Sequence, residues 1–253
     1  MLRVDPNKGI YGVAHGKNGT IVFVDQRNAD IIYSLRQMGN NVVPTTKFVL
    51  MTYVPSNPTY TKFAGAGYCS PPFGNNGRYH TAHHCVGTCN DATGKRVTVF
   101  NSKRADGEVI EDTPFICCTG NWFNKLFCTI YKWLTGKLPV NKYDHAVVDI
   151  GNDAPEDPIM VLSAAPVTGE FALFSAVPGK ENEITIGGKV IVGSYDYFDN
   201  TYKVWSGTID SYGTFSVFIS PTDWVLLELY QVTPEDPNIK IKPGYSGSNA
   251  FKA

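Results

Sequence analysis

The chain lacks any stretch of about 18 uninterrupted apolar residues, so its sequence offers no membrane-spanning helix. Its first residues, Met1-Leu2-Arg3-Val4-Asp5-Pro6, lack the apolar core of a secretory leader. We therefore expect a cytosolic chain or a piece cut from a larger precursor. Charge of either sign is not in excess: the formal net charge is -1, which gives no electrostatic reason to expect nucleic acid or an anionic membrane as partner. None of the six cysteines (Cys69, Cys85, Cys89, Cys117, Cys118, Cys128) falls in a paired C-x-x-C pattern, and the histidines do not complete one. We expect no metal and no cofactor. Free buried thiols are the default for an intracellular chain. No internal repeat stands out.

What is present suits a folded β protein. Charged residues make up 18% and the hydrophobic set 43% of the 253 residues, and Gly 24, Pro 16, Tyr 14 and Phe 14 fit short strands joined by turns. Residues 1–42 read as an N-terminal extension, with a strand at 19–25 and a short helix at 29–38, and no chemistry. Strand signals then recur at 47–54, 59–68, 96–100, 144–150, 170–175, 189–195, 202–209, 214–219 and 224–232, with Asp199-Asn200 as a hairpin turn. The polar, Pro-rich run 151–158 separates a first unit, 43–155, from a second, 156–253. Between 113 and 135 the period changes. Trp122, Phe123, Leu126, Phe127, Ile130, Tyr131, Trp133 and Leu134 recur at helical spacing with Asn and Lys between them. This predicts an inserted helix around 120–134, either laid on the barrel or serving as a membrane or protein contact through 122–134.

Three short motifs carry chemistry. In Lys242-Pro243-Gly244-Tyr245-Ser246-Gly247-Ser248 a serine stands between glycines, which free the backbone to turn sharply, project the hydroxyl and aim the N–H groups of Gly244 and Ser246 beside it. A plain polar turn is the alternative, and Ser248 departs from the G-x-S-x-G elbow. Upstream, Thr81-Ala82-His83-His84-Cys85 supplies a base, and Asp144 opens an apolar strand. Asp149, Asp112 and Asp106 compete with Asp144, but Asp149 is an odd offset away and faces the other side. The order His, Asp, Ser differs from that of subtilisins and α/β-hydrolases.

These residues resemble the chymotrypsin-like (trypsin-fold) serine proteases. Thr81 to Cys85 is similar to T-A-A-H-C, Asp144 with its strand to D-I-A-L-L, and Gly244 to Gly247 to G-D-S-G. The resemblance implies an all-β, two-barrel fold and a serine endopeptidase with Ser246 as nucleophile, His84 as base, Asp144 as its orienting carboxylate, and Gly244 and Ser246 as oxyanion donors. It also implies a disulfide between Cys69 and Cys85, although two packed thiols stay open as the alternative. Tyr245 stands where the zymogen-activated enzymes have aspartate. Pro-Gly-Tyr-Ser-Gly-Ser is closer to the polyprotein-processing proteases of positive-strand RNA viruses, of sobemovirus and polerovirus type, though their threonine shortly before the motif is absent. Only residues 247–253 follow the nucleophile, so the second barrel is expected to be incomplete. Pro243 and Tyr245 are expected near the substrate pocket, and Lys240 at its base would suit an acidic side chain. The expected partner is a polypeptide substrate, with the chain's own precursor as one candidate. A catalytically silent scaffold built on this fold is the alternative. A secreted trypsin-like enzyme without its leader is another, to which the Asn18-Gly19-Thr20 pattern adds little. Location follows the reading: host cytoplasm or membrane-associated if viral, extracellular if the disulfide forms.

Overall fold

The computed structural model describes residues 1–55, 67–72, 77–101, 103–151 and 156–253; the strand expected at 59–68 lies mostly outside them. In chain order the elements are β1 (Ile10–Gly16), β2 (Gly19–Asp25), α1 (Ala29–Gln37), β3 (Asn41–Thr45), β4 (Phe48–Leu50), β5 (Arg78–Thr81), β6 (Arg96–Asn101), β7 (Lys103–Asp112), α2 (Trp122–Thr135), β8 (Val140–Asn141), β9 (Ala146–Asp149), β10 (Met160–Pro166), β11 (Ala172–Ala176), β12 (Lys189–Asp196), β13 (Thr201–Phe218), β14 (Trp224–Pro234) and β15 (Asn249–Lys252). Strands dominate and the fold is all-β and barrel-like, as the turn-rich sequence implies.

The described strands form two sheets. The smaller has the order β5-β9-β7-β6. It encloses a modest core of Tyr79, Val86, Val99, Val109, Ala146 and Val148. In the larger sheet, β13-β12-β15-β10-β11-β14 is a run of hydrogen-bonded neighbours, and β14 pairs back onto β13. The second barrel, expected to stay open for want of strands after Ser246, therefore closes among the described residues. The reason is β15, which starts just past Ser246 and inserts between β12 and β10. Alternation on β12 turns Val190 and Val192 inward, where they join Met160, Leu162, Phe174, Trp205 and Tyr230. Each such side chain contributes about 1.5–3 kcal/mol when withdrawn from water.

Residues 1–42, read as an extension, are part of this sheet. β1 pairs antiparallel with the second half of β13, β2 with β1, and β3 runs parallel to β2. The two strands expected at 202–209 and 214–219 are one strand, β13. Within it, Gly213 lets β1 approach: a Cβ there would collide with the backbone of Val13 and Ala14. Phe23, Phe48 and Phe215 stack edge-on between the layers, with centroids 5.1–5.9 Å apart.

The inserted helix is α2. Its Asn121 side chain caps it by accepting from Asn124 N at 2.8 Å, and left-handed Gly136 ends it. Among the described residues most of its apolar side chains are exposed. Cys128 is its one buried residue, held by a disulfide to Cys118, while Trp122, Phe123, Trp133 and Leu134 are exposed. Among the described residues no helix is long and apolar enough to cross a membrane. The remaining cysteines pair as Cys69–Cys85 and Cys89–Cys117, so the free thiols expected by default are not found.

Candidate active site

Register brings the three motifs together. Thr81, the last residue of β5, pairs with Ala146, the first of β9. His84 follows that strand end in a one-turn 3-10 helix, and Asp144 precedes the neighbouring strand, so the two meet at one edge of the small sheet. Ser246 comes from the turn before β15, where Gly247 N donates to Leu162 O at 2.8 Å and Ser70 N donates to Ser246 O at 2.8 Å.

The side chains form a continuous relay. His84 Nδ1 lies 2.7 Å from Asp144 Oδ2, and His84 Nε2 lies 2.7 Å from Ser246 Oγ. Asp144 Oδ1 also accepts from the backbone N–H of His84 at 3.0 Å, and Oδ2 accepts from Ser163 Oγ at 2.6 Å. All three residues are fully buried. Burial by itself raises the Asp144 carboxyl. Electrostatic and hydrogen-bond interactions with His84, the hydrogen bond from Ser163 and the nearby His83 outweigh it and hold Asp144 below the usual carboxylate range. An ionised Asp144 only accepts, so Nδ1 of His84 carries the proton and Nε2 is free to take the one on Ser246.

The serine turn depends on its glycines. Gly244 (φ 100) and Gly247 (φ 81) are left-handed, and a Cβ on Gly247 would sit 2.5 Å from Thr81 Oγ1. The N–H groups of Gly244 and Ser246 converge on one acceptor, the carbonyl of Met51, at 2.6 and 3.1 Å. Two donors aimed at a single oxygen beside a serine hydroxyl form a cradle for a carbonyl or its oxyanion. Behind the turn, Asp196 accepts from Lys203 Nζ at 2.9 Å, Lys242 Nζ at 3.0 Å and Tyr245 OH at 3.4 Å. Of the residues expected at the pocket, Pro243 and Tyr245 are buried and Lys240 is exposed.

The neighbouring histidines have structural partners. His83 Nδ1 faces Asp112 Oδ1 at 2.6 Å and its Nε2 faces Thr88 O at 2.5 Å. Both partners only accept, so both ring nitrogens are donors when the ring is charged. Burial opposes that charge, but Asp112, Asp144 and Thr88 together raise the His83 pKa. A group whose folded pKa is raised contributes stability that is complete below the unfolded value, about 6.5 for histidine, and is lost as pH climbs through the folded value. The gap in thermal midpoint between the wild type and His83→Gln should therefore narrow as pH rises above neutrality; a widening gap would contradict the charged pair. His80 Nδ1 and His145 Nε2 lie 2.7 Å apart, and burial, then His80, pushes His145 down to about 3. Asp112 thus serves His83, Asp149 faces Arg78 at 3.6 Å, and Asp106 is exposed.

Sequence reasoning missed Ser163. It lies in the apolar run Met160–Pro166 with no motif around it, yet its hydroxyl completes the Asp144 shell and its carbonyl is 3.4 Å from Ser246 Oγ. Cys69 and Cys85 lie beside His84 in a set whose atoms are close enough to hold a metal, but the disulfide occupies both sulfurs and the donor set does not suit an ion.

One curated protein, an uncharacterized 20.2 kDa protein of Thermoproteus tenax virus 1 (strain KRA1), is 29% identical to this chain over 188 residues, covering 72% of this chain and 95% of the relative. No solved structure matches the chain significantly. The model of a family described as "Putative filamentous viruses peptidase" matches residues 48–253, which gives the chain a peptidase role in general terms. With most of its length so matched, the chain belongs to that family of filamentous-virus peptidases.

Proposed function

We propose that the chain is a serine endopeptidase of chymotrypsin-like type that processes viral polypeptide. The single observation that carries this reading is the unbroken relay from Asp144 through His84 to Ser246, ending beside two convergent N–H donors. In this mechanism Ser246 Oγ attacks the substrate carbonyl carbon while its proton passes to His84 Nε2. Asp144 keeps the ring oriented and stabilises its positive charge. The N–H groups of Gly244 and Ser246 hold the oxyanion, each worth about 3–4 kcal/mol in the transition state. His84 then gives its proton to the leaving amine, and water repeats the cycle on the acyl ester. The substrate is a polypeptide, with no cofactor in the scheme.

A second reading, a silent module on a protease-like fold, is favoured by one fact: Ser246 and His84 are fully covered, and the donor pair already holds the Met51 carbonyl. A fluorophosphonate probe separates the two. Prolonged incubation with the folded chain should attach one phosphonyl group at Ser246, seen by mass, and His84→Ala should abolish it. A folded wild-type chain that never takes up the probe supports the silent module and rejects the peptidase.

A further inference from the structure

Three features of the segment Phe48 to Thr52 coincide at the site. β4 lies antiparallel to β10, with Phe48 opposite Pro166, Val49 opposite Ala165 and Leu50 opposite Ala164. Met51 directly follows β4, and Ser163, which directly precedes Ala164 on β10, has its carbonyl 3.4 Å from Ser246 Oγ. The Met51 carbonyl is the oxygen seated between Gly244 N and Ser246 N, at 2.6 and 3.1 Å. An extended strand beside the nucleophile, with one carbonyl in the donor cradle, is how a peptide substrate would have to lie for Ser246 to attack it.

From this we infer that Met51–Thr52 is a bond the chain cuts in itself, and that this segment defines the substrate class; the inference rests on the proposed peptidase reading. Ser246 Oγ bonds to the Met51 carbonyl carbon and its proton moves to His84 Nε2. The Met51 C–Thr52 N bond breaks, and the Thr52 nitrogen leaves as an amine carrying that proton. Water then splits the Ser246 ester, leaving a Met51 carboxylate and restoring the hydroxyl. The preferred substrate is apolar and extended. Met51 is fully buried in the cluster that includes Leu162, Ala165, Ile241 and Tyr245, and Leu50 and Phe48 are buried in the adjoining one. On the leaving side, Thr52 Oγ1 is buried without a hydrogen-bond partner among the described residues, a polar atom that release of the bond would relieve.

The pieces would stay together under native conditions, because β1 to β4 remain paired with β13 and β10. They would separate on denaturation without any reductant, since the three disulfides all join cysteines between 69 and 128. The test is denaturing mass spectrometry of the full chain after incubation, beside Ser246→Ala and beside fluorophosphonate labelling of the same wild-type sample. The expected result is conversion of the wild type to 1–51 and a piece beginning Thr52-Tyr53-Val54, with Ser246→Ala remaining one chain. An uncut wild type whose Ser246 takes the probe overturns the inference and leaves the peptidase reading intact. An uncut, unlabelled wild type overturns both, and a cut that persists in Ser246→Ala assigns the break to another enzyme and also overturns it.

Discussion

Alanine at position 246 should slow peptide-bond hydrolysis by about a millionfold, and asparagine at 144 by about ten-thousandfold, the sizes of loss such changes cause in other Ser-His-Asp hydrolases. The two losses have different origins. Ser246→Ala removes the attacking oxygen and leaves water to react within the same cradle. Asp144→Asn keeps the shape but offers an amide N–H where an acceptor is needed. His84 then loses the reason to carry its proton on Nδ1, and its Nε2 no longer faces Ser246 Oγ as a base. The asparagine variant also leaves Ser163 Oγ and His84 N competing for one oxygen in a site with no exposure, so it should lose about 1–3 kcal/mol of stability as well. Rates on an apolar peptide, combined with circular dichroism and thermal unfolding, check both. Equal losses of rate from Asp144→Asn and from an unfolding variant elsewhere would remove Asp144 from the chemistry.

How much of this was legible in the chain depends on range. The histidine and serine motifs are local, because a turn needs its glycines adjacent and the nucleophile between them. The placement of Asp144 was readable from the apolar strand that follows it. Ser163 was not, because β10 is buried on both faces and shows no alternation, and a lone serine in Leu162-Ser163-Ala164 carries no local sign of its partner. Nor was the Met51 carbonyl in the cradle, which depends on the register of β4 against β10, more than a hundred residues apart in sequence. The same holds for β1 to β3: their strand pattern was visible in part, but their partner β13 follows almost the whole chain later. Pairing of six cysteines cannot be read from spacing, and the exposure of α2 could not be told from helical periodicity, which gives the apolar stripe without what covers it.

Asp196→Ala should disable the serine turn without touching the relay. Asp196 is fully buried, while Lys203 and Lys242 are each about one-third exposed. Burial tends to raise its carboxyl, but Lys203, Lys242 and the Phe198 N–H bring it down to about 2. Two of its partners, Lys242 and Tyr245, flank Gly244, so one carboxylate sets the position of both N–H donors. A zymogen-activated enzyme makes the comparable tie only after a new amine appears; here the carboxylate and its lysines belong to the same folded barrel. Removing one partner of a buried ion pair costs about 3–5 kcal/mol. The lysines reach water, so the loss here should be nearer about 2–3 kcal/mol. Donor geometry should suffer more than stability, with hydrolysis falling about a hundredfold, the loss expected when one oxyanion donor is misplaced. The sign with pH follows from the lowered pKa. The contribution is whole above the ordinary carboxylate value of about 3.9 and is lost as pH falls towards 2, so wild type and Asp196→Ala should converge in stability only in strong acid. Urea midpoints taken from neutral pH downward check the convergence. A variant with reduced midpoint but unchanged hydrolysis would show that the turn holds its donors without Asp196.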